Sequence, residues 1–379
     1  MLNLWVTHAR NVTSSEALNV ANASRADMAV CKEYLRQHAQ SPQDYVISKF
    51  TEHDVVIIGE GHQVRENCEF ISSLMNGLYH QAGVCCFAME MIKYKNTDLA
   101  NELVTAKEYD EEKAKQIFRD YIWPSWGYKE YMDQLKAIWK VNRALPPGAE
   151  KLKVVGLDKD IPGWDLYLES PHSILAWLMC IGRDDYMARV LRREVFNKRS
   201  KALVQVGAHH DFTRYRQPLA LNNRLVLLRP ARLGALLYGR YKDRVFQVAL
   251  HRQYPMVKGF QDTEVTPFLA FLERVFQLND DRPVGFDVEG TPFAKLRDGD
   301  SYYFCFQRNV TFSDIAQGYV FLKPLRQLHK VSWADGFVTD STFEKWTQRG
   351  LRHGWLKKGE CRTASELNEK VRSVEASEE

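Results

Sequence analysis

What the chain lacks narrows its chemistry before any motif is considered. Its 379 residues contain no run of about 18 apolar residues, the minimum for a membrane-spanning helix. Met1 to Ser15 lacks the basic start and apolar stretch of a secretory leader. No Gly-x-Ser-x-Gly elbow and no convincing cysteine context is present, so covalent serine or thiol catalysis is not expected. No P-loop and no Gly-x-Gly-x-x-Gly follows a strand-like segment, so nucleotide binding has no local support. No paired Cys-x-x-Cys marks a structural zinc site.

Charge is nearly balanced: 52 basic against 48 acidic residues, a net charge of +4. A nucleic-acid partner needs positive charge gathered on one face, and this balance gives no reason to expect one. The densest basic stretches, Arg189 to Lys201 and Arg224 to Arg244, read as solvated helix faces or loops. Seven cysteines are an odd number for a disulfide framework, and Cys85 and Cys86 sit inside an apolar run, as buried free thiols do. A reducing, cytoplasmic setting is expected.

Apolar residues make up 45% of the chain, enough for a large core. Residues 1–45 read as a helical segment, with Ala26 to Gln40 at helical spacing. Asp54 to Gly59, Gly83 to Met91, Lys153 to Asp158 and Lys201 to Gly207 are short apolar runs, the first of them rich in β-branched residues. Runs of this kind are strands buried on both faces, as in parallel sheets. Val245 to His251 and Tyr319 to Leu322 are later strand candidates. Helical patterns lie between them, over Glu66 to His80, over 98–143 broken at Pro124, and over Pro171 to Arg199. Strands alternating with helices predict an α/β fold: a mainly parallel central sheet flanked by helices, with helical insertions and an irregular C-terminal part. The core is expected over 46–330, with an insertion at 255–312 that is turn-rich from Pro292 to Asp300. A helical, polar tail is expected over 331–379, fraying after Ala364.

The strand ends carry the chemistry. The first run ends in Gly59-Glu60-Gly61-His62, the second in Met89-Glu90-Met91, the third in Asp158-Lys159-Asp160, and the fourth in Gly207-Ala208-His209-His210. Ligands of parallel sheets bind outside the carboxyl ends of the strands, so four strands deliver ionisable groups to one edge. Glu90, between two methionines, needs a partner if it is ionised there. Histidines with carboxylates activate water, either as a general base or as ligands of a divalent metal such as Mn, Zn, Fe or Co. Asp158 and Asp160 are candidates to orient a substrate. Arg214, shortly after the second histidine motif, is a candidate to hold a carboxylate or oxyanion.

Gly59-x-x-His62, Glu90 and Gly207-x-x-His210 occur in an order that resembles the erythromycin esterase–ChaN–TraB/Tiki superfamily. Arg183-Asp184-Asp185-Tyr186-Met187-Ala188 is similar to that group's Arg-Asp-x-x-Met-Ala helix before the second histidine strand. The likeness covers roughly residues 50–215. It implies a hydrolase that cleaves an ester, lactone or amide of a small molecule or peptide. His62 would be base or metal ligand, Glu60 and Glu90 would orient and charge-stabilise it, and His210 would polarise the carbonyl. His209 competes with His210 for that place. If a metal binds, His62, Glu90 and His210 are the implied ligands. Two alternatives remain. One is a haem- or iron-binding protein without turnover, drawing on Tyr215 or the aromatic stretch Trp123 to Tyr131. The other is a metabolite-tailoring enzyme that uses the same site for elimination or cyclisation.

Overall fold

The computed structural model describes residues 17–119, 126–160, 182–221, 224–253, 265–352, 354 and 356–377. Two helices lead into the sheet, α1 (Arg25–His38) and α2 (Pro42–Lys49). Ser24 and Asp27 close a capping box at the start of α1. Ser41 caps α2, whose first residue is Pro42, a position where a missing N–H costs nothing. There follow β1 (Val55–Glu60), α3 (Arg65–His80), β2 (Cys86–Lys93), α4 (Thr97–Thr105), α5 (Glu111–Arg119), α6 (Lys129–Ala144) and β3 (Lys153–Asp158). After the undescribed residues 161–181 come α7 (Arg183–Leu191), β4 (Ala202–Gly207), a hairpin of Pro218–Leu221 and Arg224–Leu228, α8 (Leu233–Tyr241) and β5 (Val245–Leu250). The chain continues through α9 (Pro267–Leu278), β6 (Val284–Asp287), β7 (Gly318–Phe321), α10 (Asp340–Arg352) and α11 (Ala364–Ser377). No described helix is long and apolar enough to cross a membrane.

The strands form one seven-stranded sheet in the order β3-β2-β4-β1-β5-β7-β6, parallel throughout except for β6, which runs antiparallel to β7. The expected α/β architecture is the one observed. The continuous apolar runs have a direct cause. Along β1, Val56 and Ile58 pack into one core cluster and Val55 and Ile57 into another. Both faces of the sheet are covered, so both registers of the strand are apolar. A third cluster, rich in phenylalanine, gathers α9 with β6 and β7.

Three segments depart from expectation. β6 lies inside the stretch expected to be irregular; it is four residues long and contains a glycine, too short to show a period. Part of the basic stretch 224–244 is a strand, Arg224–Leu228, paired in the hairpin rather than forming a helix face or loop. The C-terminal segment is docked as far as Val371, past Ala364 where fraying was expected to begin. Trp333, Phe337, Trp346 and Leu367 join the core, and the Asn368 side chain accepts from Trp333 Nε1 and the Val338 amide at 3.0 Å each. Pro124 and the segment from Pro171 to Ile181 lie outside the described residues, whereas 183–191 is helical as expected.

The register at the sheet's left half shapes the site. β1 runs against β4 without a break, from Val55↔Ala202 to Glu60↔Gly207. Between β2 and β3 the register shifts: Met89 faces Gly156 but Lys93 faces Asp158. The extra residues bulge β2 just where Glu90 sits, and bulges re-aim side chains in this way.

Tyr45 of α2 is buried against glycines of β6 and β7, and its hydroxyl donates to Asp287 Oδ1 at 2.7 Å. A Cβ added at Gly285 falls 2.5 Å from the Tyr45 side chain. Gly285→Ala is therefore expected to destabilise the protein by about 1–3 kcal/mol through overpacking. Urea unfolding of the variant measures this.

Candidate functional site

The carboxyl ends of β3, β2, β4 and β1 stand side by side, and their ionisable groups converge there. Glu60, the last residue of β1, is buried and accepts from three side chains. His62 Nδ1 lies 2.9 Å from Oε1, Tyr131 of α6 donates its hydroxyl to Oε1 at 2.7 Å, and Gln205 of β4 donates to Oε2 at 2.5 Å. The Tyr131 hydroxyl in turn accepts from the Gln63 amide at 3.1 Å. A buried carboxylate with this many donors is satisfied and fixed.

His62 stands just beyond, its side chain 38% exposed and edge-on to Trp126, with ring centroids 4.9 Å apart. Burial lowers the pKa of its imidazole, but the hydrogen bond it donates to Glu60 and the negative charges of Glu90 and Glu60 outweigh it. The pKa therefore stands above the ordinary histidine value. With Nδ1 committed to Glu60, no described residue hydrogen-bonds Nε2. Gly207 makes room for the ring: a Cβ there would fall 2.3 Å from His62 Nε2. This close approach is the physical reason for glycine at the end of β4.

Glu90, on the β2 bulge, is 2% exposed. Its Oε2 accepts from the Gly207 amide at 2.6 Å, and its Oε1 pairs with Arg183 Nη2 at 2.6 Å. Burial pushes its pKa up, but Arg183 foremost, with the Gly207 amide, holds it well below the usual carboxylate range. Arg183, the first residue of α7, also donates from Nε to Asp158 Oδ1 at 2.7 Å and lies 3.1 Å from His210 Nε2 through Nη1. Gly182, at φ +78°, turns the chain into that helix. His210 is held on its other nitrogen by Asp184 Oδ1 at 2.6 Å, and Asp184 accepts further from Arg232 at 3.2 Å and the Leu233 amide at 2.8 Å. An arginine donating to Nε2 leaves the ring proton on Nδ1, facing Asp184.

His209 points elsewhere. Its Nε2 lies 2.7 Å from the Tyr303 hydroxyl, which accepts from Arg252 at 3.1 Å. Burial, with Arg252 and Arg232 nearby, holds its pKa well below the ordinary value, so the ring is neutral. The doubled histidine thus resolves by side: His210 faces Glu90 and Arg183, and His209 faces Tyr303.

The expected set is only partly assembled. Glu60, His62, Glu90, His210 and Asp158 share the strand-end cluster. Asp160 is exposed and pairs with Lys93 at 2.6 Å and Lys95 at 3.1 Å. Arg214 pairs with Glu289 at 2.7 Å and lies 3.3 Å from the Tyr238 hydroxyl. The implied metal set of His62, Glu90 and His210 does not fit. Both Glu90 oxygens and His210 Nε2 are taken up by Arg183 and the Gly207 amide, so a fixed cation already stands among them. Among the described residues no group of three or more His, Cys, Asp or Glu is arranged to hold a metal ion. Tyr215 does not suit an axial haem ligand, being buried with its hydroxyl donating to the Tyr303 carbonyl at 3.0 Å.

Sequence reasoning missed Arg183, Asp184, Tyr131 and Gln205 as members of the site. The Arg183-Asp184 pair carried a signal, since it opens the stretch that resembles the superfamily's helix before the second histidine. Tyr131 stood out only as the end of the aromatic stretch Trp123 to Tyr131 offered to a haem, and Gln205 carried no signal, because a strand glutamine looks like an ordinary core or surface residue.

One further carboxyl sits behind the cluster. Asp211 is buried, packs where a Cβ on Gly59 would fall 1.8 Å from its Oδ2, and accepts from Gln247 at 2.8 Å. Burial pushes its pKa up to about 7. No family model matches the sequence, and neither does any curated protein. Solved structures are similar. A succinoglycan biosynthesis protein is 10% identical, with 79% of this chain and 98% of that chain covered and a TM-score of 0.57. An erythromycin esterase mutant in its open conformation is 13% identical, covering 73% and 92%, TM-score 0.48. ChaN of Campylobacter jejuni, with cofacial heme binding, is 14% identical, covering 55% and 85%, TM-score 0.35. The fold is shared with the first of these.

Two measurements probe the electrostatics. Arg183→Met leaves Glu90 and Asp158 buried without their cation and is expected to cost about 3–5 kcal/mol of stability, read as a lowered urea midpoint. Asp211 has a folded pKa above its unfolded value, so it binds a proton in the folded state between about pH 4 and pH 7. Its contribution is present below that window and is lost as pH rises through about 7. Asp211→Asn, which keeps an acceptor for Gln247, should flatten this loss, so that its urea midpoint changes less than wild type's between pH 5 and pH 8.

Proposed function

We propose that the chain is a hydrolase in which His62 acts as general base on water to cleave an ester, lactone or amide of a small molecule or peptide. The observation that carries this is the Glu60–His62 pair: a buried, fully satisfied carboxylate at 2.9 Å from Nδ1 of a partly exposed imidazole. A carboxylate in that position fixes the tautomer with Nε2 unprotonated and stabilises the imidazolium that forms. In this reading Nε2 takes a proton from water as its oxygen attacks the carbonyl carbon. The bond to the leaving oxygen or nitrogen then breaks, and the imidazolium returns the proton to it. The charge developing on the carbonyl oxygen is met by Arg183, whose orientation is set by Glu90, Asp158 and His210. The order of motifs that resembles the erythromycin esterase group supports the same chemistry. The fold supports an α/β scaffold of this kind and does not choose a substrate.

A panel of esters, lactones and amides, assayed with wild type and His62→Ala, tests the proposal. Loss of general-base catalysis is expected to lower kcat by about 10²–10⁴-fold, and undiminished turnover by His62→Ala would remove His62 from the mechanism. The base works unprotonated, so activity should rise with pH through a midpoint above the ordinary histidine value. Glu60→Gln takes away the carboxylate that raises that pKa and should move the midpoint to lower pH while reducing kcat.

A further inference from the structure

The hairpin Pro218–Leu221/Arg224–Leu228 takes no part in the strand-end cluster, yet it carries four of the exposed large apolar side chains among the described residues. Its second strand exposes four consecutive aliphatic residues: Leu225 at 44%, Val226 at 56%, Leu227 at 43% and Leu228 at 37%. Neighbouring residues of a strand point to opposite faces, so both faces of this strand are open and it projects from the body. A bulge at Val226 breaks its pairing, where Leu219 faces Leu227 but Ala220 faces Leu225. Its base is fixed rather than loose. Tyr302 donates its hydroxyl to the Pro218 carbonyl, Gln307 donates to the Arg216 carbonyl at 3.0 Å, and Arg232 donates to Gln217 at 3.2 Å.

Along the sequence that flanks it, the charge has one sign. From Phe212 to Lys242 the chain carries Arg214, Arg216, Arg224, Arg229, Arg232, Arg240 and Lys242, and no aspartate or glutamate. Two of these are neutralised, Arg214 by Glu289 and Arg232 by Asp184. Arg216 is exposed and donates to the Arg229 carbonyl at 3.1 Å rather than to a carboxylate. In a chain whose overall balance is close to neutral, a segment with seven cations and no anions is a local feature.

We infer that this hairpin is an interfacial docking element for an anionic phospholipid bilayer, with Leu225 to Leu228 entering the acyl boundary and the flanking arginines meeting the headgroups. A basic rim around exposed aliphatic side chains fits such a surface, where apolar burial and attraction to anionic lipid act together. A nucleic acid supplies phosphates but no apolar medium for four aliphatic side chains. A second copy of this chain would cover the strand by pairing along its open edge, and that is an outcome of the test below. The inference does not depend on the reaction proposed for the strand-end cluster, because no hairpin residue belongs to that machinery.

The test is co-sedimentation of the full chain with phosphatidylcholine vesicles, with and without phosphatidylserine, at low and high salt. Binding is expected to the phosphatidylserine vesicles and to weaken at high salt. Leu225→Ser with Val226→Ser should lower partitioning on the order of tenfold, and Arg216→Gln by about fivefold, with the thermal melt of each variant unchanged. Val226→Trp, which adds an aromatic favoured at the membrane interface, should strengthen binding, a gain that misfolding would not produce. No binding to phosphatidylserine vesicles at low salt overturns the inference, as does partitioning that the serine variants leave unchanged. Self-association that the serine variants abolish, without vesicle binding, assigns the strand to a second copy and overturns it as well.

Discussion

A carboxylate buried at the end of a central strand must be neutralised, and the way Glu90 meets that demand organises this protein. Its two oxygens reach the backbone amide of Gly207 and the guanidinium of Arg183. The first tie joins β2 to β4, and the second joins the sheet to the start of α7. Arg183 passes the connection on to Asp158 at the end of β3 and to His210 after β4. Desolvating an ionised carboxylate alone would cost several kcal/mol, and the pairing offsets this only because every contact has good geometry. Loop positions that would otherwise be free to vary are thereby fixed relative to one another, and a site that needs fixed groups acquires them from a stability requirement.

The three histidines show how one residue type is given different work by its surroundings. His62 meets carboxylates and keeps a partly exposed ring with a raised pKa. His209 lies among arginines and is held neutral by burial and their charges. His210 is clamped between an aspartate and an arginine, which suits holding a geometry more than moving a proton. Arg183 also bears on the metal question. A guanidinium fixed among Glu90, Asp158 and His210 puts positive charge at the strand ends through the protein's own side chain, and it takes up the lone pairs a metal would need.

The sheet's other half has a different logic. There β6 and β7, with α9 packed on them, carry the aromatic cluster of Phe276, Phe286, Tyr319 and Phe321, and His251 just after β5 is buried between Tyr319 and Glu273. The polar end of β5 is therefore used for packing, while the ends of β3, β2, β4 and β1 are used for the cluster. The difference follows strand order, since those four are neighbours at one side of the sheet.

Much of this was legible in the chain itself. Runs such as Val55-Val56-Ile57-Ile58 announce strands covered on both faces, because only such a strand has no polar register. Strand-end residues Glu60, His62, Glu90, Asp158 and His210 follow from the rule that parallel sheets present their carboxyl ends to ligands. Other features were decided by tertiary structure alone. Asp160 and Arg214 stand near site residues in sequence but pair with Lys93 and Glu289, because two residues past the end of β3 and seven past the end of β4 the chain has already turned each side chain away from the cluster. Tyr131 and Gln205 reach Glu60 from an element that is remote in sequence and from a neighbouring strand, and a pattern local in sequence carries no trace of such contacts. The sequence determined which ionisable groups would be delivered to one edge; packing determined that Arg183, a cation from a distant helix, would stand among them and set the role of each.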